Sequence, residues 1–170
     1  MIISEKKLRE LEGKLNTNNL KVVSDAIITL RNEDPFRGAI GLLAGLFDST
    51  NDIIIKDLIR NFLNDIKEAA ARIEVVAEVM KVYKSETLCM LVSSCWQSGL
   101  DYSEFASDFA EIFIRGDYLT ALECFTVIEG SVQGIAADNK SKIIELLEKN
   151  GSTSSDEKKS LLRALIKVLR

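Results

Sequence analysis

The residues best suited to chemistry lie close together. Cys89, Ser93, Ser94, Cys95 and Trp96 fall within Glu86-Thr-Leu-Cys-Met-Leu-Val-Ser-Ser-Cys-Trp-Gln-Ser-Gly-Leu-Asp101. A thiol or hydroxyl becomes a nucleophile when a neighbouring base takes its proton. Histidine is the commonest such base, and the 170-residue chain contains none. That removes Ser-His-Asp and Cys-His catalysis, His-ligated zinc and haem, and histidine acid–base work. No Gly-x-Ser-x-Gly turn surrounds either serine. Cys89 and Cys95 are too poorly spaced on a helix to share a metal, so neither a metal nor another cofactor is expected. Cys95 shares a helical face with Leu88, Leu91 and Val92, which suits a core thiol. With Cys124 the cysteines number three. They read as free, buried thiols in a reducing compartment.

Carboxylates form the second candidate. Asp101, Glu104, Asp108 and Glu111 recur at helical spacing and make an acidic row. Lys159, Arg163, Lys167 and Arg170 make a basic one. A solvated helix face is the default reading of either. The sharper reading is that the rows pair, within one molecule or between molecules stacked head to tail, so self-association is one expectation. Glycosidase chemistry needs two carboxylates facing each other across a cleft, which a single row does not supply. An enzyme is therefore not expected. A histidine-free hydrolase built on carboxylates or a serine is the least favoured alternative.

The elements that must carry these residues are helical. One proline and nine glycines are few turn-formers for this length, and 46% hydrophobic residues suffice for a sizeable core. The net charge of −4 argues against nucleic acid as the main partner, because phosphate binding needs a clustered basic surface. The N-terminal stretch has no apolar core of signal-peptide length. The uncharged run Thr87 to Leu100 would span about 21 Å as a helix, short of a bilayer core of about 30 Å. No membrane association and a cytoplasmic location are the expectations.

Helical periodicity predicts nine or ten helices and no strand. Ser4 caps the first, residues 4–15, with Leu8, Leu11 and Leu15 inward. The second spans about 19–31 and buries Leu20, Val23, Ile27 and Leu30. Asp34-Pro35 starts the third, with Phe36, Ile40, Leu43 and Phe47 inward. Asp52 begins the fourth, to about Ile66, which carries Ile55, Leu58, Ile59, Phe62 and Ile66. The fifth runs from Glu68 to Tyr83, with Ala69, Ile73, Val76, Met80 and Tyr83 as its face. The sixth is the uncharged run, ended by a left-handed Gly99. Asp101 and Glu104 form a capping-box-like start to the seventh, which buries Phe105, Phe109, Ile112 and Phe113. Gly116-Asp117 separates it from the eighth, with Leu119, Leu122, Phe125 and Ile128 inward. After a loop at 130–138, the ninth buries Ile143, Ile144 and Leu147. Gly151 to Ser155 reads as a linker, and Ser154 with Glu157 caps a last helix with Leu161, Leu162, Leu165 and Val168 inward.

An offset of 49 residues brings the chain into register with itself. Leu42-Leu43 falls on Leu91-Val92, Phe47 on Trp96, Ser49 on Ser98 and Asp52 on Asp101. Three units follow, at about 18–66, 67–116 and 117–170, within a single helical-repeat domain of residues 1–170. The middle helix of the first unit, Gly38 to Phe47, is uncharged like Thr87 to Leu100. Its counterpart at 140–149 is charged on one side, as a water-facing terminal repeat requires.

This pattern resembles armadillo- or HEAT-type α-solenoids over residues 18–170. The resemblance implies an all-α, right-handed α-α superhelix that binds a protein partner. The stretches Met90 to Tyr102, Gly116 to Tyr118 and Glu123 to Glu129 also resemble an uncharacterised family of Bacteroidetes proteins, which brings no activity with it. By the armadillo likeness, the third helix of each unit lines the binding groove. That points to Lys56, Arg60, Asp101, Glu104, Asp108 and Glu111. Trp96, Gln97, Asp101 and Tyr102 cluster in sequence where the uncharged helix ends, and Trp and Tyr are common binding anchors. For Trp96 the register with Phe47 favours a plain core position. The expected role is an interaction scaffold or adaptor; an obligate subunit or assembly factor of a larger complex is the alternative.

Overall fold

Local capping chemistry sets the first helix starts. The computed structural model describes residues 4–32, 36–150 and 156–170. Ser4 Oγ accepts the Lys7 amide and opens α1, Glu5–Leu15. Asn19 Oδ1 accepts the Lys21 and Val22 amides at the head of α2, Leu20–Leu30. Asp52 Oδ1 does the same for Ile54 and Ile55 at the head of α4, Ile53–Asn64. Each occupies amides that a helix start would otherwise leave unpaired. The remaining helices are α3 (Ala39–Ser49), α5 (Ala71–Val79), α6 (Ser85–Gln97), α7 (Ala106–Arg115), α8 (Tyr118–Ser131), α9 (Ala137–Asn150) and α10 (Asp156–Leu169). Short 3₁₀ turns at Ser103–Phe105 and Val132–Gly134 complete the order, and there is no β-strand among the described residues. The expected start signal at Asp34-Pro35, the linker at Gly151 to Ser155 and the Ser154 cap lie outside the described residues.

The chain divides into two compact units, residues 1–98 and 99–170. In the first, α3 packs against α1, α4, α5 and α6. Its side chains Leu43, Ala44 and Phe47 are fully buried, together with Ile59 of α4, Val79 of α5 and Leu91 of α6. An uncharged helix is what such a position requires, because a charge there would need a buried partner. The glycine before α3, Gly38, has φ +98°, and a side chain there would also strike Leu8.

Three expectations for this unit are overturned. Leu20, on the first turn of α2, is 45% exposed, because the packed face is Val23, Ala26, Ile27 and Leu30. The fifth helix is shorter and turned: α5 holds nine residues, with Ala71, Val75, Val76, Glu78 and Val79 inward. Ile73 is 68% exposed instead. The cause is polar. Glu74 and Glu78 both point into the unit, and a helix cannot also bury the opposite face. Third, Trp96 does not repeat Phe47: it is 44% exposed.

In the second unit α7 packs on α8 and α9, and α10 packs on α8 and α9. The expected core of α7 is present in Phe109, Ile112 and Phe113, all fully buried, while Phe105 lies half-buried in the preceding turn. Asp117 Oδ1 accepts the Thr120 amide and fixes the start of α8. The inward face of α8 is Thr120, Ala121, Cys124, Val127 and Ile128. Leu119 and Leu122, expected inside, are exposed. Small residues face α7, and Gly116 before them leaves no room for a methyl group beside Thr120 and the Ile112 carbonyl. The sequence hid a buried cation: Lys158 Nζ donates to the Ile114 and Gly116 carbonyls at 2.7 Å each. It neutralises the C-terminal end of α7 and sits 5.8 Å from the Phe113 ring centroid. Desolvation pulls this ammonium below the usual lysine range.

Candidate interaction surface

Several of the predicted residues meet along one seam in the first unit. α4 and α6 run in the same direction. Lys56 near the start of α4 bonds Glu86 near the start of α6, with Nζ 2.5 Å from Oε2. Near their ends, Asn64 Nδ2 donates to Gln97 Oε1 at 2.7 Å. Lys67 Nζ then reaches the Ser98 carbonyl at 2.5 Å. Lys56, Arg60 and Asn64 are spaced one helical turn apart, so one face of α4 supplies the seam. The Phe47 ring lies beneath it, 5.0 Å from Lys56 Nζ and 5.7 Å from the Arg60 guanidinium carbon. Arg60 also pairs with Asp57. At the exit of α6 Trp96 is half-exposed, and Gln97 is exposed beside it. The Asn64 Oδ1 atom there is buried and accepts no hydrogen bond from the described residues.

The other predicted residues belong to the second unit. Asp101, Glu104 and Glu111 are exposed and Asp108 is half-buried. Asp101 holds the turn before α7 by accepting the Ser103 amide and hydroxyl. Tyr102 is corrected outright. It is 2% exposed, and its ring meets Phe109 edge-on at 5.8 Å, so it packs the core and presents nothing to a partner. In the basic row, Lys159 pairs with Asp156 and Arg170 with Glu148, rather than with the acidic row.

The thiol-and-hydroxyl stretch is tied into its own helix. Ser93 Oγ donates to the Met90 carbonyl, Ser94 Oγ to the Leu91 carbonyl, and Cys95 Sγ contacts the Leu91 carbonyl at 3.4 Å. Cys95 and Cys124 are buried and Cys89 is half-buried, all as free thiols.

Sequence reasoning missed a second polar centre, where α5 meets the start of α3. α3 lacks a cap of its own. The Glu74 carboxylate from α5 supplies it, accepting the Gly38 and Ile40 amides at 3.0 Å and the Gly41 amide at 3.4 Å. One turn on, Glu78 is 5% exposed and takes the Lys81 ammonium and the Tyr83 hydroxyl, each at 2.7 Å. Burial, and then the bond to Glu78, push the Tyr83 phenol well above its ordinary range. A cleft of about 440 Å³ opens here. α6 borrows its cap similarly: Asp48 Oδ1, at the end of α3, accepts the Lys84 amide and the Thr87 hydroxyl. The Thr87 hydroxyl is the main reason the Asp48 carboxyl lies below the usual range. The sequence signal for both is the missing Ser, Thr, Asp or Asn at the position just before each helix, which Gly38 and Lys84 occupy.

No protein-family model, curated protein or solved structure matches the chain. No helix among the described residues is long and apolar enough to cross a membrane.

Proposed function

We propose that the chain is a helical-repeat binding module of the armadillo or HEAT kind, a right-handed α-α superhelix that engages a protein partner rather than catalysing a reaction. The helix order supports α2–α4, α5–α7 and α8–α10 as successive triples, with α1 preceding them. Three free thiols suit a reducing cytoplasm.

The observation that carries this reading is Trp96. Its counterpart in the 49-residue register, Phe47, is fully buried, whereas Trp96 keeps 44% of its surface exposed. A half-seated indole beside a polar seam offers large apolar area, the chemistry of a binding hot spot. Exposed Gln97, bonded to Asn64, adds polar surface next to it in the chain. Affinity capture from the native cell, comparing the wild-type chain with Trp96→Ala, tests it. Loss of a specific partner from the variant supports the reading, and identical retrieval by both overturns it.

A second reading, a permanent subunit of a larger complex, draws on α8. Tyr118, Leu119 and Leu122 turn outward there at 40%, 61% and 37% exposure. Such a subunit made alone self-associates, whereas an adaptor stays monomeric at every concentration in light scattering.

A further inference from the structure

α10 carries a row of positive charge that the rest of the unit only partly answers. From Lys158 onward its sequence holds five lysines and arginines and no acidic side chain. Lys158 is engaged inside the unit by the Ile114 and Gly116 carbonyls. The other four recur at Lys159, Arg163, Lys167 and Arg170, a row about 16 Å long on a helix. Asp156 pairs with Lys159 and Glu148 with Arg170. Between them Arg163 and Lys167 are exposed, with no hydrogen bond or ion pair among the described residues. α1 is built the opposite way: Glu5 pairs with Arg9 and Glu10 with Lys14, four residues apart. Like charges at that spacing repel on a helix surface. The helix dipole favours Lys167 in the last turn, but not Arg163 at mid-helix. Ser160 and Ala164, exposed and small, share this face, so another backbone can come close.

We propose that this face of α10 binds an acidic segment of a partner protein, with carboxylates one helical turn apart on Arg163 and Lys167. A positive row on a chain of net charge −4 steers such a segment to this helix. A guanidinium matches a carboxylate with two parallel hydrogen bonds, which gives the contact direction. A membrane surface fits less well, because α10 already buries Leu162, Leu165 and Leu169 and has no apolar face left to enter a bilayer. Nucleic acid also fits less well. A continuous polyanion would meet Asp156, Glu148 and the net negative charge, whereas a short acidic segment needs only the two open cations. This surface is independent of Trp96, which belongs to the first unit.

Two capped dodecapeptides, three repeats of Glu-Ala-Ala-Ala and three of Lys-Ala-Ala-Ala, titrated into ¹⁵N-labelled protein at low salt, test it through backbone amide shifts. The acidic peptide is expected to move the amides of residues 159–170 and to bind about tenfold tighter than the basic one, as for two exposed ion pairs. Arg163→Glu with Lys167→Glu reverses that order. Lys6→Glu with Lys21→Glu changes the net charge equally outside α10 and leaves the order intact. All four side chains are exposed, so the variants keep the wild-type circular dichroism. Equal binding of the two peptides, no shifts, shifts centred outside residues 159–170, or an equal loss in both double variants would each overturn the proposal. So would an oligothymidylate of the same length that binds the same amides more tightly than the acidic peptide, which would assign the face to nucleic acid. Trp96→Ala leaves the titration unchanged; a loss there would assign the peptide to the α6 exit instead.

Discussion

α3 and α6 are two versions of one helix. Both lack charge through their middles, both occupy the core of the first unit, and neither caps itself. Each start is held by a carboxylate from elsewhere, Glu74 for α3 and Asp48 for α6. They part company at their ends. Phe47 closes α3 as a fully buried ring under two cations, while Trp96 leaves α6 half-exposed. The shared features are those of packing, and the difference lies where a partner could be met. Two helices can thus share a hydrophobic register and still differ in whether the ring near their end is buried.

The strongest way to test that contrast is to truncate both rings. Phe47→Ala is expected to cost about 3–5 kcal/mol, the usual loss for deleting a buried phenyl group. Trp96→Ala is expected to cost less than about 1 kcal/mol, as for most surface substitutions. Urea unfolding followed by circular dichroism compares them without needing the indole as a probe. Equal losses would mean that Trp96 is core after all, and the contrast would collapse.

The borrowed cap of α3 gives the next largest effect. Glu74→Ala leaves half-buried amides of Gly38 and Ile40 without their acceptor, at a cost of about 1–3 kcal/mol. Glu74→Gln keeps an acceptor oxygen and loses the charge, so it falls between wild type and alanine. Glu68→Ala, at an exposed position nearby, is the control. If Glu74→Ala lowers the urea midpoint no more than the control does, the carboxylate is not holding the helix start.

These caps also mark where the sequence was legible. Ser4, Asp52 and Asp117 announced their helices because each acts on amides two or three residues away. Apolar periodicity then placed Leu11, Leu15, Ile55, Ile59, Phe109 and Ile143 in the core, where they are found. It failed on α5 because the inward face carries Glu74 and Glu78, and hydrophobicity cannot foresee a carboxylate wanted by another helix. It failed on α8 because close packing on α7 selects the small Ala121 and Cys124 over Leu119 and Leu122. Lys158 escaped notice for the same reason as the glutamates: its partners are backbone carbonyls more than forty residues away in sequence. Of the predicted surface residues, Lys56, Arg60 and Gln97 lie along one seam of the first unit, with Trp96 next to Gln97 in α6. Tyr102 is buried instead, because an aromatic ring just before a 3₁₀ turn could face either way, and Phe109 offers it an edge-on partner.

The smallest effect comes from the borrowed cap of α6. Asp48 accepts the Thr87 hydroxyl and the Lys84 amide, which hold its carboxyl below the ordinary value of 3.8. A carboxylate with a depressed folded pKa stabilises the fold above its unfolded value, and that contribution disappears as pH falls from 3.8 through the folded value. Asp48→Asn should therefore lower stability at pH 7 by about 0.5–1 kcal/mol, the low end for a cap because solvent screens the site. Once pH has fallen below the folded pKa, the variant and the wild type should converge. Parallel urea titrations at pH 7, 4 and 2.5 measure the gap. A gap that stays constant with pH would mean that Asp48 contributes through shape and hydrogen bonding alone, leaving α3 as the middle helix whose start depends on a charge.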